Sequence, residues 1–227
     1  NTERNLQNAK ELFQSKLNEV FSQGSANPEP VEGWVEKPLS EVCDLKSGTT
    51  VHKSLEKAEG EIAYLKVGDM NFEGNEFEIT TSSRFLSSSD INSKHVFPVG
   101  TTIFPKRGGA IATNKKRLTT IPICADLNTM GAIPKKGVDS MYLNFYFHSF
   151  DLLEIANGTT ILQINNYSFD PLKISVPTDD KVQVKTAEKL EEFRLLAEQL
   201  ETNYTQKLTE LEDLKKSLLE RAFRGEI

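Results

Sequence analysis

The stretch KTAEKLEEFRLLAEQLETNYTQKLTELEDLKKSLLERAFRG, residues 185–225, decides the fold of this chain because it contains no Gly or Pro before Gly225. Its apolar residues recur at steps of three and four, approximating a heptad: Leu190, Phe193, Ala197, Leu200, Tyr204, Leu208, Leu211, Leu214, Leu218 and Ala222. A helix of about 40 residues is about 60 Å long, more than a small domain covers with its own body. The pattern predicts a coiled-coil-like C-terminal helix that packs against another helix; a helix lying flat on its own domain is the alternative.

A second, shorter helix is predicted at residues 3–22. Its apolar positions, which include Leu6, Ala9, Leu17 and Phe21, also follow steps of three and four. The stretch GSANPEP, residues 24–30, follows it and is typical of a linker because it combines Gly, Ser, Asn and Pro. The chain therefore begins with a helix that a short linker separates from the next part.

The middle of the chain, residues 34–177, has a mixed pattern in which short apolar runs alternate with turn residues. The runs are rich in β-branched and aromatic residues and predict strands at 62–67, 76–80, 101–105, 121–125 and 172–176. Residues 87–94 and 141–153 are typical of helices. We expect the fold class to be α+β, with an irregular, mostly antiparallel sheet between the two terminal helices.

Composition excludes several classes of protein. No run of about 18 apolar residues could span a membrane, and the first residues lack the apolar segment of a signal peptide. The two cysteines, Cys43 and Cys124, lie far apart without a CxxC motif, which favours reduced, packed thiols in a cytoplasmic protein. The chain begins without Met, which suggests a piece of a longer protein.

The distribution of charge matters more than the net charge of −6. Residues 94–136 contain eight Lys and Arg residues and a single acid, Asp126, giving this stretch a net charge of +7. A basic patch on an acidic body is what a nucleic-acid phosphate backbone needs. A chance cluster on a solvated surface is the alternative interpretation.

Catalytic motifs are missing from the sequence. No P-loop, GxGxxG or HExxH pattern occurs, and the three histidines are scattered. Asp44 and Lys46 form too small a fragment to indicate a nuclease. Gly108-Gly109 could cradle a phosphate or form a tight turn. We expect a protein with no catalytic residues, metal site or cofactor of its own.

Six sequence motifs follow one another along the chain: WVEKPLSEV (34–42), KSGTT (46–50), IAYLKVGDM (62–70), GTTIFPKRGGAI (100–111), GTTILQIN with LKISVP (158–165, 172–177) and LKKSLLERAFRGEI (214–227). In this order they resemble the DNA-specificity subunits of type I restriction–modification enzymes. A whole subunit of this family usually carries two target-recognition domains and two spacer helices. This chain has one domain and one full helix, so it resembles a half.

The resemblance implies a domain layout and a set of partners. It implies an N-terminal spacer segment at 1–23, a linker at 24–33, a target-recognition domain at 34–180 and a C-terminal spacer helix at 181–227. The domain would read one half of a bipartite double-stranded DNA target. Methyltransferase subunits using S-adenosylmethionine and ATP-dependent restriction subunits would dock on the assembly, and the isolated half would form a homodimer. A coiled-coil adaptor that binds only proteins is the alternative function.

Candidate site residues follow from the basic stretch and the family motifs. The DNA candidates are Lys106, Arg107, Asn114, Lys115, Lys116, Arg117, Thr49, Thr50 and Lys135. Arg107, Asn114 and Arg117 are the preferred candidates for base edges, since Arg suits guanine and Asn suits adenine. A solvated hairpin turn at 113–117 and a β-turn at Thr49 and Thr50 are the structural alternatives. The helix residues expected to contact a partner are Leu190, Phe193, Leu200, Leu208, Leu211, Leu218 and Phe223.

Overall fold

A computed structural model describes residues 2–21 and 32–225 of the chain. Most of the predicted linker at 24–33, and the last two residues, lie outside this range. Among the described residues, no helix combines the length and apolar character that a membrane span requires. Contacts divide the chain into a helical unit, 1–20 with 188–227, and a globular unit, 21–187.

In residues 2–21 and 32–225 the structure has five α-helices and eleven strands. The helices are α1 (Thr2–Phe21), α2 (Leu39–Val42), α3 (Ser140–His148), α4 (Leu152–Ile155) and α5 (Asp180–Phe223). The strands are β1 (Trp34–Pro38), β2 (Cys43–Ser47), β3 (Ile62–Leu65), β4 (Glu78–Ile79), β5 (Phe85–Leu86), β6 (Val96–Phe97), β7 (Thr102–Pro105), β8 (Arg117–Thr119), β9 (Ile123–Ala125), β10 (Thr129–Pro134) and β11 (Lys173–Pro177).

Three sheets build the globular unit. One has the strand order β2-β10-β7-β8-β4, a second β5-β3-β9-β6, and a third pairs β1 with β11. Most pairings are antiparallel; β3 with β9 and β4 with β8 are parallel. The predicted α+β class with a mostly antiparallel arrangement is confirmed, although the strands form three sheets instead of one.

The core of the globular unit is aromatic around α3. Tyr142, Phe145 and Phe147 are buried, as expected for a nonpolar helix that is apolar on most sides. The Phe147 and Phe104 rings stack at 5.3 Å, which joins α3 to β7. The Tyr142 hydroxyl donates to the Ser175 carbonyl at 2.6 Å, so α3 is also tied to β11.

Two helix predictions in the globular unit need correction. Residues 87–94 form two short 3-10 turns, at Ser88–Asp90 and Ser93–His95, instead of one helix. Asn92 caps the second turn through its side chain, which competes with helical hydrogen bonding. The predicted helix at 141–153 is divided into α3 and α4, because Asp151 caps a new helix that begins at Leu152 by accepting from Leu153 N.

The helical unit consists of α1 running antiparallel beside the first part of α5. The Lys16 ammonium lies 5.3 Å from the centre of the Phe193 ring, while Asn5 and Ala9 share a groove with Leu200 and Tyr204. Buried apolar side chains on α1 and α5 include Leu17, Leu190 and Ala197. The predicted long helix therefore forms, and its first half has a partner helix within this chain.

Candidate nucleic-acid interface

Several strands of the two larger sheets end at one edge of the globular unit. Gly48, after β2, donates its backbone N–H to Thr129 at 2.9 Å, and Thr49 donates to Ala125 at the end of β9 at 2.7 Å. Lys106, after β7, donates to the Asn128 carbonyl at 2.8 Å. We call this surface the strand-end edge and define it as residues 48–50, 106–107, 126–128 and 162–164.

The loop that carries Thr49 and Thr50 is held against the turn between β9 and β10. A Cβ placed on Gly48 would lie 2.0 Å from the Asp126 carbonyl oxygen, so only glycine fits here. Thr49 is half-buried and Thr50 is exposed. Both predicted residues therefore lie on a fixed part of the strand-end edge.

Lys106 and Arg107 give this edge its positive charge. The Lys106 ammonium donates to the Ser47 hydroxyl at 2.8 Å, which ties it to the Thr49 loop. Partial burial, with a contribution from the neighbouring Arg107, lowers the pKa of Lys106. The Arg107 side chain is exposed. Two adjacent cations without a carboxylate partner in the described residues suit an anionic ligand.

Lys116 does not lie on the surface, contrary to its predicted DNA contact. Its side chain is 1 % exposed and donates to the Phe150 carbonyl and to Asn114 Oδ1, both at 2.6 Å. Burial lowers the pKa of Lys116 to about 7, an effect that Asp151 and Glu154 oppose. Lys116 is therefore an interior residue that joins the end of the loop after β7 to the α3–α4 junction.

Asn114 and Arg117 are also engaged inside the protein. Asn114 has a left-handed backbone, φ 51°, and its Oδ1 accepts from Leu152 N at 2.9 Å as well as from Lys116. Arg117 is 9 % exposed and donates to the Lys116 and Met70 carbonyls. Burial lowers the pKa of Arg117. The interpretation of these two side chains as readers of base edges does not fit their surroundings, because Asn114 Oδ1, which a bidentate contact to adenine needs, is already engaged twice and Arg117 is buried.

The last two predicted cations, Lys115 and Lys135, have other hydrogen-bond partners than Lys116. Lys115 donates to the Asn71 side chain and is half-buried. Lys135 follows β10 at the end opposite Thr129, where it donates to the Ser40 carbonyl at 2.6 Å and lies 3.3 Å from Asp44. Since β10 is six residues long, Lys135 is about 20 Å from the strand-end edge along the strand.

The structure also brings a residue to this edge that the sequence reasoning missed. Gln163 pairs with Arg107 in an isolated antiparallel bridge and is exposed. Nothing in the local sequence marks it, since TILQINNY lacks basic residues. The residues that follow form a 3-10 turn at Asn166–Phe169, where Asn165 N donates to Ser168 Oγ at 3.2 Å.

The described part of the chain offers few groups for metal binding or nucleophilic chemistry. Residues 2–21 and 32–225 contain no group of three His, Cys, Asp or Glu side chains placed to hold a metal ion. Cys43 and Cys124 are free and buried, and burial raises their thiol pKa values to about 12 and about 11. These thiols are therefore protonated near neutral pH and poor nucleophiles.

The apolar stripe of α5 becomes exposed toward its C-terminal end. Of the predicted helix residues, Leu190 is buried, and Phe193, Leu200 and Leu208 are half-buried. Leu211, Leu218 and Phe223 are exposed, Phe223 at 89 %. Exposed apolar residues in a row commonly mark an interaction surface.

Comparisons with known proteins agree with this architecture. The family model for the type I restriction modification DNA specificity domain matches residues 31–210. No curated protein matches the sequence.

Solved structures show a similar fold over all or most of the chain. A chain from a study of complex assembly and conformational transition in the type I R-M system is 18 % identical, with a TM-score of 0.81 over 100 % of this chain and 54 % of that one. The HsdS subunit from Thermoanaerobacter tengcongensis is 19 % identical, with a TM-score of 0.70 over 100 % and 53 %. The type I S subunit from M. genitalium is 18 % identical, with a TM-score of 0.51 over 74 % and 40 %. The chain therefore spans about half the length of the first two.

Proposed function

The chain belongs to the type I restriction–modification DNA specificity domain family, and from this premise we propose that its strand-end edge reads one half of a bipartite double-stranded DNA target. The observation that carries the proposal is the pair of unneutralised cations, Lys106 and Arg107, on a rigid edge beside Thr49 and Thr50. The protein is a non-catalytic specificity component. Its role is to position active sites on other subunits, and S-adenosylmethionine and ATP bind to those partners.

The helical unit is the proposed docking surface for methyltransferase and restriction subunits, and the complex is proposed to act in the cytoplasm. The exposed C-terminal apolar stripe of α5 supports this assignment. Because the chain spans about half of the solved subunits, two copies joined through their helices would supply the two domains that a bipartite target requires.

Removing the phosphate contacts of Lys106 should weaken binding to every DNA sequence and flatten its salt dependence. Each lost phosphate contact lowers the slope of log K against log salt by about 0.9, so Lys106→Ala should reduce it by about 0.9. The measurement is a salt titration of a fluorescent duplex with the chain and its methyltransferase subunits. Lys173→Ala, on β11, is the control. An unchanged slope contradicts these contacts, and no binding by the unaltered complex favours the adaptor function.

Self-association of the isolated chain should depend on the exposed part of α5. Leu211 and Leu218 are seven residues apart, so they lie on one face of the helix, and both are exposed. We expect a dimer at micromolar concentration in sedimentation velocity and a monomer for Leu211→Glu with Leu218→Glu. Glu212→Ala should stay dimeric. A wild-type monomer would contradict the proposed two-copy assembly.

A further inference from the structure

Arg107 and Gln163 form a closely spaced cross-strand pair. The two hydrogen bonds next to them, Gly108 N to Leu162 O at 2.8 Å and Ile164 N to Lys106 O at 2.9 Å, flank the pair without joining its members. This is the pattern of a non-hydrogen-bonded antiparallel pair, in which the Cα atoms are about 4.5 Å apart. The two side chains therefore leave the same face of the ladder side by side.

Gln163 is held on its other side as well. Gln163 and Asn157 exchange both backbone hydrogen bonds at 2.8 Å, which makes Gln163 the middle member of a short three-stranded ladder. Asn157 is itself fixed, because its amide donates to Ser168 Oγ at 2.9 Å. A side chain on such a support has a defined direction, which is what base recognition requires.

Both side chains are available for a ligand. Arg107 and Gln163 are exposed, and among the described residues the structure gives neither side chain a hydrogen bond or ion pair. A guanidinium presents two parallel donors, which match guanine O6 and N7. A primary amide presents one donor and one acceptor, which match adenine N7 and N6.

We propose that Gln163 is a specificity-determining residue that reads an adenine beside the guanine read by Arg107. The spacing supports this, because a Cα separation of about 4.5 Å is close to the 3.4 Å rise between stacked bases along one strand. The inference rests on the proposed DNA-reading function of the strand-end edge. It assigns to the half-target a guanine and an adenine on adjacent base pairs.

Gln163 differs from Lys106 in what its loss should change. A neutral amide releases no counterions, so Gln163→Ala should leave the salt slope unaltered. It should reduce the preference for adenine over other bases at one position by about fivefold or more. Gln163→Glu should shift the preference at that position toward cytosine, because a carboxylate accepts from cytosine N4.

Selection from a randomised duplex library, using the chain with its methyltransferase subunits, tests the inference. The variants are Arg107→Ala, Gln163→Ala, Gln163→Glu and, as the control, Thr81→Ala, an exposed neutral side chain of the globular unit that lies outside the strand-end edge. We expect the wild type and the control to enrich one common half-site. The positions lost in the two alanine variants should be adjacent, and thermal unfolding should be unchanged in all four variants.

The outcomes separate the two proposals. A wild-type complex that enriches no sequence overturns the proposed function, and the inference with it. A wild-type complex that enriches a half-site, while both Gln163 variants enrich the same half-site unchanged, overturns the inference alone. Loss of positions several base pairs apart in the Arg107 and Gln163 variants also overturns it, because the ladder places these side chains next to each other.

Discussion

Replacing Gly48 by alanine should destabilise the globular unit by about 3 kcal/mol, at the upper end of the cost of overpacking. The added Cβ would lie 2.0 Å from the Asp126 carbonyl oxygen and 2.4 Å from that of Ala125. Both are backbone atoms, so no rotamer change relieves the clash. The loop must move away, which breaks the bonds from Gly48 N to Thr129 and from Thr49 N to Ala125.

Urea denaturation followed by tryptophan fluorescence measures this effect, because Trp34 is the single tryptophan of the chain. Gly68→Ala is the matched control, since a Cβ at Gly68 meets no atom within 4 Å. We expect the control to change stability by less than about 0.5 kcal/mol. Equal midpoints for the two variants would mean that the close approach at Gly48 does not hold the loop.

The terminal helices could be predicted to within a few residues. The apolar pattern predicts helices at 3–22 and from 185, and the structure has α1 at Thr2–Phe21 and α5 at Asp180–Phe223. A long periodic segment repeats its apolar positions many times, so many residues independently support the same helix prediction. The sequence also predicts that α5 packs against another helix, because its row of apolar residues is too long for a small domain to cover.

Short strands were predictable only where a continuous or alternating apolar run marked them. The run at 101–105 corresponds to β7 at Thr102–Pro105, whereas β2 and β10 were missed. Residues of β2, CDLKS, include two charged side chains, and β10 contains Gly131. The pairing of β10 with β2 and β7 fixes these strands from outside their own sequence, which local propensity does not register.

The site was predictable in part for a similar reason. Charge counting found Lys106 and Arg107, but it also included Lys116 and Arg117, which burial removes from the surface. Residue type does not reveal that all three residues of β8, Arg117 among them, are buried. Gln163 reaches the edge only because it pairs both with nearby residue 157 and with residue 107, which lies far earlier in the sequence.

The second large effect is expected at Lys116, whose buried ammonium should make stability depend on pH. Burial lowers the pKa of Lys116 to about 7 in the folded chain, whereas a lysine in the unfolded chain titrates near its ordinary value of about 10.4. Between these values the unfolded chain binds one more proton than the folded chain. Unfolding then takes up a proton, so the free energy of unfolding contributed by this group rises with pH.

The Lys116→Met variant isolates this contribution. The unfolding free energy of the wild type minus that of the variant should be constant below pH 7. Above pH 7 this difference should rise by about 1.4 kcal/mol per pH unit, because only the wild type gains stability from this group. Urea denaturation at pH 6.0, 7.5 and 8.5 measures the difference. Taking the difference cancels contributions that both proteins share, such as those of the buried thiols of Cys43 and Cys124, whose raised pKa values destabilise the folded chain at higher pH.

Lys136→Met, which removes an exposed ammonium, is the matched control and should retain the wild-type pH dependence. A constant difference between wild type and Lys116→Met across this range would mean that the folded protein keeps Lys116 protonated. The bonds to Phe150 and Asn114 would then compensate the charge in full. A growing difference would instead show that the interior tolerates Lys116 best as the neutral amine. It would also explain how a residue from the most basic stretch of the chain can lie inside the protein beside a DNA-facing loop.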